Sequence, residues 1–442
     1  MTGNAGMVAV TELVERLDVI GSLDAAVGPI KQRNRGFRPG ELLVGMASAQ
    51  LAGQDFLVGL DRVRADTAGQ ALVPVPGLSS TTAAGLARRF DERDWLAVET
   101  GLAAVTERML DRLPGQRAAA LTAGPVTIDL DTTDVEVYGR KKDGVAYNHQ
   151  GQRVGRPHVA TWAETELTLA ADLGSGVDDP RATAPELLER ALAALPQRIG
   201  REQVALRADA GYFAGTLARA AHAAGVGFAI GAKRIAPLWR MLDGIAETDW
   251  RAAIDMHDAQ VAVADYRPAD WPPQTTLLIR RVRLSPEQVS TDPRSRRRRT
   301  LHPEQRALPI DELADADAIY AYSFIVTDLD VSSPDRAAAV EHWYRHRTII
   351  ENIFRDSKHG AALRHLPSGD KNVNRAWMWG ALLAANIAAW LHELTGVLSD
   401  DRADLLVGHG VRGGKAMIAT LRHRLIATPA RLIRHARTLT LR

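Results

Sequence analysis

The stretch Val126–Asp131, which reads VTIDLD, decides the fold because its apolar and polar residues alternate as in a β-strand with two different faces. It begins just after Gly124 and Pro125, where the pattern changes from helical to strand-like. Asp129 and Asp131 are two residues apart, so their side chains point to the same face of the strand. An acidic strand end of this kind is typical either of a capped turn or of a metal site.

The pattern downstream of this strand predicts a mixed sheet. Two more strands are predicted at 157–164 and 166–173, followed by a helix at 183–196. A strand at Val204–Asp209, a helix from Gly211 to about Ala224 and a final strand at Val226–Ile230 complete the pattern. This is the order of an RNase H-like α/β fold, in which helices flank a mixed sheet. The first and fourth strands of that fold lie side by side and end at the same edge. We therefore expect Asp131 and Asp209 to meet there.

The whole chain divides into five predicted segments. They are a helical N-terminal region at 1–120, the first part of the core at 121–232, a β-rich insertion at 233–320, the last part of the core at 321–371, and a basic helical region at 372–442. Ser332-Ser333-Pro334-Asp335 has the composition of a helix start and is expected to cap the helix that bears Glu351.

Within the N-terminal region, Pro76–Phe90 indicates a turn, a Ser or Thr cap and a short helix that ends in Arg88 and Arg89. This is how a helix-turn-helix presents its recognition helix, with small polar residues at the start and arginine further along. A plain helical hairpin has the same spacing, so both interpretations stay open.

Composition limits the class of protein. The 442 residues include no cysteine, which excludes disulfides, a thiolate zinc site and a cysteine nucleophile. No run of apolar residues is long enough to span a membrane, and the N-terminus lacks a signal pattern, so we expect a cytoplasmic protein.

The net charge of +2 does not by itself favour a partner as anionic as DNA. The distribution of charge is more favourable, because residues 405–442 carry eight Arg or Lys and no Asp or Glu, and residues 280–306 carry nine Arg and three acids. Such runs form either local phosphate-binding surfaces or solvated loops.

Four residues near the end of the predicted core have a distinctive spacing. Tyr344, Arg347, Glu351 and Lys358 fall on one stripe of a helix, beside an apolar arc that a half-buried helix requires. The stripe is either the solvated face of an amphipathic helix or a functional row. In the functional interpretation the carboxylate binds a divalent metal and the two cations contact an anionic polymer.

Tyr344-x2-Arg347-x3-Glu351-x6-Lys358 resembles the Y-x2-R-x3-E-x6-K signature of bacterial cut-and-paste insertion-sequence transposases. These enzymes belong to the DDE group, in which two aspartates and this glutamate bind the catalytic metals. Asp131, followed by two threonines, resembles the first aspartate motif, and Asp129 is the runner-up. Asp209, followed by a glycine and an aromatic residue, resembles the second.

The resemblance implies that Asp131, Asp209 and Glu351 are the catalytic residues and hold Mg²⁺ or Mn²⁺, with two ions as the expected number, since two-metal phosphoryl-transfer sites share their ligands. Candidate DNA contacts are Tyr344, Arg347, Lys358, Arg88, Arg89, Arg140, Lys141 and Lys142.

The partners that the resemblance implies are double-stranded DNA with terminal inverted repeats, target DNA and a second copy of the chain in a synaptic complex. The expected location is the bacterial nucleoid. The expected reaction is strand cleavage and strand transfer at the element ends. A silent DNA-binding regulator and an RNase H-like junction nuclease are the alternatives.

Overall fold

A computed structural model describes residues 1–32, 35–139, 141–292, 294–309, 312–313, 318–395, 411–412, 415–435 and 438–442. Its centre is an 11-stranded mixed sheet. The strands are β1 Val126–Thr132, β2 Val135–Glu136, β3 Ala146–Tyr147, β4 Arg153–Trp162, β5 Leu167–Ser175, β6 Val204–Ala208, β7 Gly227–Ala232, β8 Arg251–Ala252, β9 Ala259–Ala264, β10 Thr276–Leu284 and β11 Ile319–Thr327.

The predicted RNase H-like arrangement is confirmed. Strand β4 lies between β5 and β1 and is antiparallel to both. Strand β1 then pairs in parallel with β6, and β6 pairs in parallel with β7. One face of this part of the sheet is apolar, with Ile128, Leu130 and Leu206 fully buried. The first and fourth predicted strands are therefore neighbours that run in the same direction.

Helices cover the sheet. They are α1 Met7–Arg16, α2 Val19–Val27, α3 Pro39–Leu51, α4 Gly59–Ala65, α5 Ser80–Ala87, α6 Glu92–Arg112, α7 Gly115–Ala123, α8 Pro180–Ala194, α9 Gly215–Ala223, α10 Ala236–Leu242, α11 Pro303–Ala307, α12 Pro334–Arg345, α13 Thr348–Gly360, α14 Lys371–Thr395 and α15 Ile418–Leu421. No helix within the described ranges is long and apolar enough to cross a membrane.

The β-rich insertion continues the central sheet. Strand β11 pairs antiparallel with β7, and β10, β9 and β8 follow in that order. The insertion strands therefore extend the sheet beyond β7, on the side opposite to β4 and β5.

The C-terminal region is helical where it is most buried. Helix α14 packs against α3 and β5, and its tryptophans Trp377, Trp379 and Trp390 are buried. The last residues differ from the helical expectation, because Leu432–His435 and Thr438–Leu441 pair as two antiparallel strands.

The stripe of four spaced residues does not lie on one continuous helix, which corrects the sequence-based expectation. Ser333 caps α12, accepting a hydrogen bond from the backbone N–H of Arg336, so the predicted helix start is correct. The capped helix is not the one that bears Glu351, because α12 ends at Arg345 and α13 begins at Thr348. Between them, each backbone N–H bonds to the carbonyl three residues earlier, as Arg347 does to Tyr344 at 3.1 Å. This tighter turn is the junction that places Arg347 at the start of α13.

Candidate active site

The two strand-end aspartates come from neighbouring parallel strands. Leu130 on β1 is in register with Ala208 on β6, so Asp131 and Asp209 each follow one member of that pair. A backbone N–H fixes each carboxylate: Thr132 donates to Asp131 Oδ1 at 2.8 Å, and Gly211 donates to Asp209 Oδ1 at 2.7 Å. The sheet thus brings the two acids to the same edge.

The junction between α12 and α13 brings the glutamate to this edge through an arginine. Arg347 Nη1 lies 3.0 Å from Asp131 Oδ2, and its Nη2 lies 3.1 Å from Glu351 Oε1. The Asp131 and Arg347 side chains are each 14% exposed, whereas Glu351 is 56% exposed. Arg347 therefore links a protected carboxylate to an open one.

The electrostatics of Asp131 reflect burial beside another acid. The pKa of the Asp131 carboxyl is raised to about 7, chiefly by burial; the charge of Arg347 lowers this pKa and the charge of Asp209 raises it. The loss of solvation outweighs the attraction of Arg347. Asp131 is thus held in a place where a second positive charge is favourable.

Tyr344 and Lys358 support the backbone around this edge. The Tyr344 hydroxyl donates to the Ala208 carbonyl at 3.1 Å, and burial raises the pKa of this phenol to about 12. Lys358 Nζ donates to the Asp134 carbonyl at 2.7 Å, and burial lowers its pKa. Both side chains bind protein carbonyls in the structure, and their contacts with DNA remain predictions.

Asp129, the runner-up metal ligand, has a protein partner for each carboxylate oxygen. Arg207 Nε lies 2.7 Å from Oδ1 and Nη2 lies 2.8 Å from Oδ2. Asp129 is 0% exposed and Arg207 is 2% exposed. We therefore keep Asp131 as the candidate ligand on β1.

Two of the predicted DNA-contacting cations are already engaged. Arg88 Nε lies 3.3 Å from Asp370 Oδ2 on the surface. Lys142 Nζ donates to the carbonyls of Leu366 and Ser368, and burial lowers its pKa.

Two others, Arg89 and Lys141, are exposed. Arg140 lies outside the described residues.

Comparison with known families identifies the chain. A sequence model of the family described as "Transposase DDE domain group 1" matches residues 1–293 and 312–442. The chain belongs to this family. No curated protein sequence matches this DDE transposase domain. Among solved structures it is similar to a piggyBac transposase, described as "Cryo-EM structure of piggyBac transposase synaptic complex with hairpin DNA (SNHP)". The TM-score is 0.42 at 9% identity, over 94% of this chain and 78% of that one.

The acidic side chains of this DDE transposase domain suit a hard divalent cation by their donor chemistry. All three candidates offer carboxylate oxygens, which Mg²⁺ and Mn²⁺ prefer. Burial, together with the charge of Asp209, raises the pKa of Asp131, and a bound cation relieves this cost of holding a charged carboxylate there. Among the described residues no three His, Cys, Asp or Glu side chains stand together as a metal-binding group. Instead, the Arg347 guanidinium supplies positive charge between Asp131 and Glu351.

Sequence reasoning missed Arg207, although a signal for it exists. Arg207 is two residues before Asp209, just as Asp129 is two residues before Asp131. Because β1 and β6 pair in parallel, Asp129 is in register with Arg207, just as Asp131 lies beside Asp209 at the ends of the same strands. An acid paired with an arginine two residues before the strand ends, on the face that carries the site, indicates a buried ion pair.

Proposed function

We propose that this chain is a metal-dependent DNA transposase that cleaves DNA strands at the inverted-repeat ends of an insertion sequence and joins them to target DNA. The observation that carries the proposal is the meeting of Asp131 and Asp209 at one sheet edge, with Arg347 linking Asp131 to Glu351. Membership of the DDE family supports the same class of reaction.

Asp131, Asp209 and Glu351 would hold the metal, either Mg²⁺ or Mn²⁺, with two ions as the preferred number. Bound there, the ions would activate a water or a 3′-hydroxyl and stabilise the leaving oxygen of an in-line displacement. No protein nucleophile is required.

The remaining residues orient the site and the DNA. Thr132 and Gly211 hold the two aspartates through their backbone N–H groups. Arg347 presents a planar guanidinium at the same edge, a group suited to bidentate contact with a phosphate. The helical N-terminal region and a second copy of the chain would bind the rest of the element ends in a synaptic complex.

The test is cleavage of DNA taken from either side of the native gene, with Mg²⁺ and purified protein. We expect wild-type protein to nick and join these ends. Asp131→Asn, Asp209→Asn and Glu351→Gln should each abolish cleavage while retaining a band shift with the same DNA. Asp265→Asn is the matched control, because Asp265 also directly follows a strand, β9, but is 72% exposed and pairs with Arg267 on the surface. Cleavage by Asp209→Asn at the wild-type rate would refute the assignment.

One observation favours a silent DNA-binding regulator as the second candidate. Arg347 occupies the space between Asp131 and Glu351 and pairs with both carboxylates, where a metal ion would otherwise supply the positive charge. For a regulator, the same experiment should give a band shift with wild-type protein and no cleavage in either Mg²⁺ or Mn²⁺. A junction nuclease would instead cut branched DNA regardless of its terminal sequence.

A further inference from the structure

A buried ion pair lies one step inside the candidate active site. Asp129 and Arg207 face each other across β1 and β6, two residues before Asp131 and Asp209. Both side chains are almost completely buried, and the carboxylate receives two parallel hydrogen bonds. A buried pair of this kind contributes little net stability, because the loss of hydration offsets the attraction. The pair is therefore expected to act by holding the Arg207 side chain in place rather than by adding stability.

Arg207 also reaches the end of α12. Its Nη1 donates to the Trp343 carbonyl at 2.5 Å, and its guanidinium carbon lies 5.1 Å from the centre of the Trp343 ring. The indole Nε1 in turn donates to Thr127 Oγ1 on β1 at 3.0 Å. Trp343 is thus attached to the sheet through both its backbone and its ring.

The Trp343 carbonyl is an acceptor whose usual helical hydrogen bond is missing at the end of α12. In an uninterrupted α-helix it would accept the N–H of Arg347, four residues later. In the structure it accepts from Arg207 and from the N–H of His346 at 3.2 Å, while the Arg347 N–H bonds to Tyr344. The arginine therefore binds the carbonyl at which the helix changes to the tighter turn.

We propose that Arg207 is a positioning residue: held by Asp129, it fixes the junction between α12 and α13 and so places Arg347 and Glu351 beside Asp131. The catalytic consequence rests on the proposed function, whereas the structural consequence does not.

Only arginine has its donors spread over three nitrogens, as this role requires. Nε and Nη2 serve the two Asp129 oxygens and leave Nη1 for the Trp343 carbonyl. The fork of the guanidinium is rigid, so the three bonds are made together. A lysine keeps the positive charge for Asp129 but has one compact ammonium group, which does not span the carboxylate and the carbonyl.

The test compares Arg207→Lys with wild-type protein by two independent measurements. Hydrogen exchange should be faster in the variant at the amides of residues 346–350. At saturating DNA, the single-turnover cleavage rate should fall by up to about 100-fold, as expected for a displaced catalytic group. The dissociation constant for element-end DNA should change much less than the cleavage rate, because Arg347 is one of several predicted DNA contacts.

Arg281→Lys is the matched control. Arg281 is also a buried strand arginine, bound to the Glu247 carboxylate and stacked on Trp250 and Tyr320, but it lies on β10 in the insertion. It should leave both the exchange of residues 346–350 and the cleavage rate at wild-type values.

The double variant Asp129→Leu/Arg207→Met guards against a folding defect, because removing both buried charges together leaves neither unpaired. It should show the same faster exchange as Arg207→Lys. Unchanged exchange, or faster exchange with an unchanged cleavage rate, would overturn the proposal. Loss of cleavage without any change in exchange would overturn it as well. If wild-type protein cuts no DNA, the proposed function fails, while the exchange measurement still decides whether Arg207 fixes the junction.

Discussion

At the scale of single residues, the ionisation of Asp131 couples the candidate site to stability. Its pKa is raised from an ordinary value near 3.8 to about 7, so the folded protein binds this proton more tightly than the unfolded chain. Stability from the protonated carboxyl is fully present below about pH 4 and is lost as the pH rises through about 7. In a chelating buffer at pH 8, Asp131→Asn should therefore increase the free energy of unfolding, by at most about 4 kcal/mol. Denaturant titrations at several pH values measure this difference.

The control is the pH dependence of the difference in the free energy of unfolding between Asp131→Asn and wild-type protein. Glu99 also has its pKa raised to about 7 by burial, but it is present in both proteins, so its contribution cancels in the comparison. The advantage of Asp131→Asn should shrink towards zero as the pH falls to about 4. An advantage that stays constant from pH 4 to 8 would contradict a raised pKa for Asp131.

At the scale of elements, the sequence predicts the strands well because their signals are local. Val126–Asp131 alternates in polarity, and Val204–Asp209 begins with three apolar residues and is bounded by Gly211. The structure has strands at Val126–Thr132 and Val204–Ala208. Their parallel pairing follows from the order of elements, which is how Asp131 and Asp209 can be placed together from sequence.

The break between α12 and α13 was not predictable in the same way. No proline or glycine marks it, and the helical periodicity continues through Arg347. A tertiary contact lies at the break, because the Trp343 carbonyl binds Arg207 of β6. The periodicity of one segment contains no information about such a partner. The sequence therefore predicts that Asp131 and Asp209 lie at one sheet edge, but not the path of the chain that carries Arg347 and Glu351.

The packing of α14 against α3 gives a prediction at this scale. A Cβ added to Gly380 would lie 2.6 Å from Gln50 Oε1 and 2.9 Å from Met46 Cβ, so Gly380→Ala forces two buried helices apart. We expect a loss of about 1–3 kcal/mol in the free energy of unfolding, measured by chemical denaturation. Gly85→Ala is the control with the opposite expected sign, because Gly85 also lies within a helix but nothing lies within 4 Å of its added Cβ. It should stabilise α5 by about 0.5–1 kcal/mol. Equal effects at both sites would show that the contact between α3 and α14 is looser than described.

At the scale of the whole molecule, one turn brings together cations from distant segments. The turn Ser368–Asp370 ends the segment 361–370 that joins α13 to α14. Its Asp370 pairs with Arg88 from the N-terminal region, and its Gly369 carbonyl accepts the backbone N–H of Asp143. The exposed Arg89 and Lys141 are sequence neighbours of these contacts. The N-terminal region and the loop after β2 therefore contribute cations to one area.

If this area binds the DNA backbone, its cations control affinity through the release of counterions. Replacing Arg89 and Lys141 together by glutamine should weaken binding to element-end DNA and to unrelated DNA alike. It should also reduce the slope of log K against log salt by about 2, because each phosphate that the protein no longer neutralises lowers the slope by about 0.9. Lys142→Gln is the contrasting variant, because Lys142 binds the Leu366 and Ser368 carbonyls, and it should lower stability with less change in the salt slope. Fluorescence anisotropy over a range of salt concentrations measures the slope. An unchanged slope for Arg89→Gln/Lys141→Gln would place the DNA on another face, because a protein that neutralises fewer phosphates must also release fewer counterions.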